Sequence, residues 1–374
     1  MSIIPPYDIE EINLYNFYDE SKKIILSNLK NYTKLKKFDC SRCNLIELPD
    51  LPNSLTYLYC CNNKLIKLPN LPNSLNELYC GFNYLKKLPN LPNSLTHLSC
   101  CYNKLTELPN LPNSLIIFAC ENNKLIELPN LPNSLIKLLC SHNILNKLPK
   151  LPNSLIDLEC SNNNLTELPN LPNSLIIFAC ENNKLIELPN LPNSLKSLRC
   201  SHNNLTKLHN LPNSLFNLNC YNNKLTKLPD LPNSLTYLIC CNNNLTKLPN
   251  LPNSLIDLEC SNNNLTELPD LLNSLKYLDC HNNNLTELPE LPNSLSYLSC
   301  LTNNLTYPNL EIKTINETNK INFKNRIIKR MQLLNRTLLL EWSARISLNP
   351  KRIQRLLNTN EIDFLDGSFD TLTL

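Results

Sequence analysis

Residues Leu55 to Ser74 read LTYLYCCNNKLIKLPNLPNS, and the next twenty, Leu75 to Ser94, read LNELYCGFNYLKKLPNLPNS. This unit recurs without a break from Leu35 to about Leu305, fourteen times at a period of 20. Within it Leu58 and Cys60 alternate with Tyr57, Tyr59 and Cys61. That is the period of an extended strand, whose successive side chains point to opposite faces. One face is then core and the other solvent. Each unit supplies one short strand to a parallel sheet at about 4.8 Å per unit, so that the stack runs for about 60 Å. A single unit cannot bury its own apolar side, and the two ends of the stack need covering.

Two glycines against 28 prolines, with almost no alanine or valine, fit a short motif copied many times rather than an ordinary globular chain. Net charge is +3 over 374 residues, which points neither to a general nucleic-acid coat nor to an acidic disordered protein. The start, MSIIPPYDIEEINL, lacks a basic stretch followed by an apolar core, and the run Leu338 to Leu340 is too short to cross a bilayer. The expectation is a cytoplasmic protein that is not secreted.

Eighteen cysteines would suggest a disulfide framework in a short secreted chain, but fourteen of these fall at every twentieth residue from Cys40 to Cys300. Cysteine is therefore a position in the repeat, with Cys43, Cys61, Cys101 and Cys241 as extras. Reduced thiols packed as small apolar groups are expected, because parallel Cβ vectors on adjacent rungs hold the sulfurs in poor geometry for bonding.

An asparagine occupies the ninth position of thirteen units, Asn63 through Asn303, with Cys43 in the first. It is expected to be buried, its amide bonded to the backbone of its own and the adjacent loop. An unpaired amide there would cost ~1–3 kcal/mol. The return segment, LPNLPNSL, is too short for a helix. Its two prolines favour an extended, polyproline-like convex side. His209 and Leu272 replace the expected prolines, and the chain should be looser at those two places.

The first eleven positions match the leucine-rich-repeat signature LxxLxLxxNxL, with cysteine in the third leucine slot. Over residues 35 to 307 the chain resembles the LPX class of that family, whose consensus is LPxLPxxLxxLxVxxNxLxx. The resemblance implies an α/β-type solenoid, a leucine-rich-repeat horseshoe with a parallel sheet of about 14 short strands. The class is known from bacterial effectors, some of them binding scaffolds and others carrying a ubiquitin-ligase domain. The Asn- and Lys-rich, Cys-bearing composition is similar to that of uncharacterised repeat proteins of giant DNA viruses of amoebae. The ligase version uses a nucleophilic cysteine outside the repeats. Here Cys300 is the last cysteine, and residues 1–34 contain none.

Residues 1–34 carry Ile9, Ile12, Leu14 and Phe17, then Ile24, Ile25 and Leu29, at roughly helical spacing, which predicts a helical cap over the first repeat. Residues 308–374 predict a second cap. Phe323, Ile327, Met331, Leu334, Leu338 and Trp342 share a stripe, and Asn349-Pro350 opens a further helix. From Lys320 to Arg355 there are ten basic residues and one acid, Glu341, a local charge of +9. Lys324, Arg326, Lys329, Arg330, Lys351, Arg352 and Arg355 are the candidate contacts to nucleic acid or an anionic surface. The competing reading is a cap whose polar face is basic.

Neither the five histidines nor the adjacent pairs Cys60-Cys61, Cys100-Cys101 and Cys240-Cys241 have metal-ligand geometry, since consecutive strand residues face opposite ways. No nucleophile has a plausible base, and no phosphate-cradling glycine loop is present. The expectation is no catalytic residue, no metal, no cofactor and no small-molecule substrate. Six NLT sequons follow from the repeat itself.

What varies within the chain is the outward side of each strand. Read along the stack, it carries Tyr57, Tyr59, Tyr79 and His97, a charged middle of Glu121, Asp157, Glu159, Glu181 and Arg199, then Tyr221, Tyr237, Tyr277 and Tyr297. Tyrosine buries area while keeping a hydroxyl for hydrogen bonding, which suits an interface. The sequence reading is a non-enzymatic scaffold that binds a partner protein, a host protein in the viral or effector setting, on this face. Drift among copied units is the competing explanation. Residues 111–135 and 171–195 are identical, and 151–169 recur as 251–269.

Overall fold

The computed structural model describes residues 4–305 except 15, 16 and 18. The chain divides into two compact units, Met1–Leu310 and Glu311–Leu374, and the second lies outside the described residues. The helical stripe and basic residues expected there therefore lie outside them too.

Unit one is a solenoid built on a single 15-stranded parallel sheet in sequence order. Strand β1 spans Glu11–Asn13, followed by helix α1 at Asp19–Ser27 and a 3-10 turn at Leu29–Asn31. The repeat strands are β2 Lys37–Asp39, β3 Tyr57–Tyr59, β4 Glu77–Tyr79, β5 His97–Ser99, β6 Ile117–Ala119, β7 Lys137–Leu139 and β8 Asp157–Glu159. They continue as β9 Ile177–Ala179, β10 Ser197–Arg199, β11 Asn217–Asn219, β12 Tyr237–Ile239, β13 Asp257–Glu259, β14 Tyr277–Asp279 and β15 Tyr297–Ser299. Every repeat pairs with the next in a register of 20, as in Leu58 opposite Leu78. Backbone bonding continues past each short strand: Cys60 N–H donates to Tyr79 O at 2.8 Å and Asn62 N–H to Gly81 O at 3.0 Å.

The interior is a set of columns. Leu55, Leu58, Cys60 and Leu65 are fully buried, and so are their counterparts in almost every later rung. Phe118 and Phe178 fill the second leucine slot in the two identical units. All eighteen cysteines are free.

The asparagine ladder bonds as the sequence requires. Asn163 Nδ2 donates to Cys140 O at 3.1 Å, Cys160 O at 3.1 Å and Ser161 O at 3.2 Å, while its Oδ1 accepts the Leu145 N–H at 3.0 Å. One side chain thus satisfies four backbone groups on two rungs. Just before it lies a residue with φ between 51° and 57°, from Asn62 to Thr302, the left-handed conformation that asparagine tolerates.

The return side carries no helix among the described residues. Each Pro-Asn-Ser-Leu closes a turn, as where Leu55 N–H donates to Pro52 O at 3.2 Å. A second ladder, absent from the sequence reading, runs along the serines: Ser94 Oγ reaches Asn73 O at 2.8 Å and Leu75 O at 2.6 Å. Where Leu272 replaces proline, the buried Ser274 hydroxyl has no hydrogen-bond partner. Where His209 replaces proline, a surface groove opens between Asn190, Leu191 and Asn193 on one side and Leu208 and His209 on the other. Both are local departures from the repeat, and the turn bond from Leu275 N–H to Leu272 O persists at 3.0 Å.

The N-terminal expectation needs correction. Ile12 and Leu14 are buried in and beside a strand, not a helix, and β1 pairs with β2 in parallel through Glu11 opposite Lys37. An open sheet edge takes up any nearby extended segment to satisfy its backbone groups, and this outweighs a loose helical spacing. The helix is confined to Asp19–Ser27, where Ile25 turns inward.

Asn163→Ala should lower unfolding free energy by about 1–3 kcal/mol, because the Leu145 N–H loses its acceptor inside the stack while Cys140 O, Cys160 O and Ser161 O each lose one of two donors. Urea unfolding would show it, and a loss under about 1 kcal/mol would mean water replaces the amide. Alkaline pH tests the thiol core. Burial pushes Cys220 and Cys241 up to about 12 and Cys180 and Cys260 well above the ordinary 9.0. A thiol held protonated by the fold stabilises it fully below 9.0, and that stability is lost as the unfolded chain ionises at higher pH. The urea midpoint should therefore fall steeply above pH 9.0, whereas a level midpoint there would show the ladder open to water.

Candidate functional site

The outward columns of the sheet are built by neighbours about 4.8 Å apart, so their side chains meet one another before they meet solvent. The tyrosines read as exposed are half-buried or buried: Tyr79 and Tyr297 retain 7% and 8% exposure. Pairing along the columns is the cause.

At the N-terminal end Tyr59 and Tyr79 stack with ring centroids 4.9 Å apart and planes 10° apart, and Lys37 Nζ sits 6.0 Å from the Tyr59 ring centroid. Tyr57 lies half-buried beside them. Glu77, which the sequence reading passed over, is buried between these groups. His97 Nδ1 lies 3.9 Å from Glu77 Oε1 and 2.9 Å from Thr96 Oγ1. Burial lowers the His97 pKa against the opposing pull of Glu77, while burial and then Glu77 raise those of Tyr59 and Tyr79.

The charged middle is satisfied from within. Lys137, also missed, holds Asp157 Oδ2 at 2.8 Å. Arg199 reaches Glu159 at 3.5 Å through Nη2 and Glu181 at 3.4 Å through Nε. Burial works against the Lys137 charge, but the Asp157 carboxylate outweighs it and raises the pKa. Burial, reinforced by Asp157, raises Glu159. Cys101 Sγ donates to Glu121 Oε2 at 2.6 Å. These residues form one cross-rung network, with Ile117, Ala119, Leu139, Ile177 and Ala179 around it. The signal available in the sequence was an opposite charge 20 or 40 residues away.

Toward the C-terminal end Tyr277 and Tyr297 stack at 4.1 Å with planes 3° apart, Tyr221 packs edge-on against His202 at 4.9 Å, and Tyr237 is half-buried. Asp279 is fully buried and bonds His281 Nδ1 at 2.6 Å. The two tyrosine groups do not form one site. From β4 to β12 is eight rungs, about 40 Å.

A third aromatic group, outside the strand face, also escaped the sequence reading. Phe82 and Tyr102 stack at 4.1 Å, both in the left-handed conformation that bulky residues avoid, and Lys104 lies 4.8 Å from the ring centroid of the exposed Tyr84. Among the described residues no group of three or more His, Cys, Asp or Glu side chains is placed to hold a metal ion, and no helix is long and apolar enough to cross a membrane.

No protein-family model matches the chain, and no curated protein matches it. Solved structures do. The chain is similar to YopM of Yersinia enterocolitica, with 41% identity and a TM-score of 0.70, over 72% of this chain and 60% of that one. It therefore spans well under two thirds of that protein's length. YopM of Yersinia pestis, described as a leucine-rich effector protein, is 41% identical with a TM-score of 0.66, over 73% of this chain and 78% of that one. The functional domain of InlJ from Listeria monocytogenes, described as including a cysteine ladder, is 30% identical with a TM-score of 0.64, over 74% and 65% of the two chains. An identity of 41% over 78% of a leucine-rich relative, on a sheet that advances 20 residues per rung about buried asparagines, shows that this chain belongs to the leucine-rich-repeat proteins.

Proposed function

We propose that the chain is a non-enzymatic scaffold of the LPX class that binds a partner protein on the outward strand face, with the two tyrosine groups as anchors. The observation that carries this reading is a stacked tyrosine pair near each end of the face, Tyr59–Tyr79 and Tyr277–Tyr297. Stacking fixes these rings before binding, so a partner immobilises fewer side chains when it covers them. His97, Tyr57, Tyr221 and Tyr237 complete the anchor set. Glu121, Asp157, Glu159 and Arg199 are engaged with neighbours and serve as a polar surround.

The LPX assignment is supported by the LPNLPNSL return, and an effector-like role acting on a host protein by the likeness to the Yersinia proteins. A giant-virus source is supported by composition alone. Eighteen free thiols suit a reducing compartment such as host cytoplasm. A basic helical cap formed by residues 308–374 remains part of the reading.

Affinity purification from a eukaryotic extract tests it, comparing wild type with a variant in which Tyr57, Tyr59, Tyr237 and Tyr277 are all changed to Ala. The more buried Tyr79 and Tyr297 are left in place so that the fold survives. A discrete protein recovered about tenfold less by the variant is expected, the loss typical of removing interface anchors. Equal recovery by both sinks the strand-face reading. Partners lost instead with Lys324, Arg326, Lys329 and Arg330 changed to Ala, and lost with added salt, would favour nucleic acid or an anionic surface.

A further inference from the structure

Six of the large apolar side chains left exposed by the fold, Ile46, Ile66, Tyr84, Tyr102, Ile126 and Ile144, lie together. They stand on the loops that leave β2 to β7, six consecutive rungs. Three slots of each loop reach solvent: the left-handed residue, from Arg42 to His142, and the second and fourth residues after it. Over the six loops these slots also hold Arg42, Lys64, Lys86, Lys104 and Lys124, with no acid, and the half-buried Phe82. The position after the last slot is balanced, with Lys67, Lys87 and Lys147 against Glu47, Glu107 and Glu127.

The same slots after β8 to β14 supply the comparison. There they carry asparagine, histidine and threonine, with Lys184, Ile186 and Lys224 as the exceptions. Lys184 and Ile186 belong to the copied segment 171–195 and arrive with it. The backbone beneath is alike in both halves: Tyr84 N–H donates to Leu65 O at 2.8 Å, and Asn244 N–H to Leu225 O at 2.8 Å. The fold therefore needs no apolar residue in these slots. At two of them it disfavours one, since Phe82 and Tyr102 have φ angles of 55° and 52°, a conformation open to asparagine and costly for a bulky ring. Apolar surface gathered on one exposed edge, against the preference of its backbone, marks a contact.

We propose that this loop edge docks on the interface of an anionic lipid bilayer. Its rings and isoleucines enter the boundary between headgroups and acyl chains, and its lysines pair with anionic headgroups. The site is separate from the strand face and does not depend on it. Six loops about 4.8 Å apart make a strip about 24 Å long, and the bonds between rungs hold its side chains in register to meet a surface together. Lys104, 4.8 Å from the Tyr84 ring centroid, gives the pairing of ring and ammonium that suits the headgroup level. A single strand of nucleic acid would use the rings and lysines but leave four isoleucines in water. A bilayer interface uses all three residue types.

The test is co-sedimentation of the full chain with vesicles of phosphatidylserine mixed with phosphatidylcholine, and with vesicles of phosphatidylcholine alone. Wild type should pellet with the mixed vesicles and stay largely in solution with the second kind. I66T/F82N/Y84N/Y102N/I126T leaves net charge unchanged and gives each slot a residue that the same slot carries elsewhere in the array, so the fold is kept. It should bind the mixed vesicles about tenfold more weakly. K64N/K104N should lose about fivefold for each lysine. K184N/K224N makes the same exchange in the same slot of the other half and should bind as wild type does.

Wild type that stays in solution with the mixed vesicles overturns the proposal, and so does undiminished binding by the variant without the rings and isoleucines. An equal loss in K64N/K104N and K184N/K224N also overturns it, since attraction would then be diffuse. Loss confined to K324A/R326A/K329A/R330A moves the contact to the C-terminal segment and sinks the edge. If polyuridylate binds through these slots while vesicles do not, the edge is a nucleic-acid site and the bilayer reading falls.

Discussion

The structure depends on one side chain that serves two rungs at once. Asn63 donates to Cys40 O at 2.8 Å on the rung before it and to Cys60 O at 3.1 Å on its own, and accepts the N–H groups of Cys43 and Leu45. A parallel stack of irregular loops would otherwise bury carbonyls and amides that no strand can pair. Because the amide must reach back by one rung, each rung must bring the loop after its strand into the same place as the one before. The exception in the first repeat has the same cause. Cys43 occupies the slot where the rung before is β1, which is offset by 26 residues and brings no matching loop to satisfy.

Once the period is fixed, the rest of the interior is constrained. Leucine and cysteine columns are confined to a spacing of about 4.8 Å, which favours small or flexible apolar groups and keeps thiols protonated and without water. The serine ladder does on the return side what the asparagine does beneath the sheet, using a hydroxyl where proline has removed the donor. Its dependence on proline shows at Leu272. The turn bond from Leu275 N–H survives at 3.0 Å, yet the Ser274 hydroxyl loses its partners.

This explains which features could be read from the chain. The Asn, Leu and Cys columns were legible because each residue has one role repeated in every unit. Strand β1 was not, because Ile12 and Leu14 fit a helix by spacing and become a strand only when an open edge is beside them. Ser94 and its counterparts were quoted in the unit without a role, although their constancy along the chain was the available signal. Glu77 and Lys137 were missed for a different reason. Their importance lies in pairs 20 residues apart, His97 for one and Asp157 for the other, and a reading of single positions does not register pairs.

The outward face therefore has a property that a list of its residues hides. At this spacing the chemistry of a position is set as much by the rung before and after as by its own residue. Asp157 and Asp257 are the same residue in the same 19-residue sequence, yet one faces Lys137 and the other Tyr237. Duplication copies units whole, but it sets each copy among new neighbours and changes its surface without a substitution inside it. Identical copies are thus no argument against a functional face. In an array of this kind, specificity arises at the junctions between units, and a recently expanded array gains new junctions as fast as it gains length.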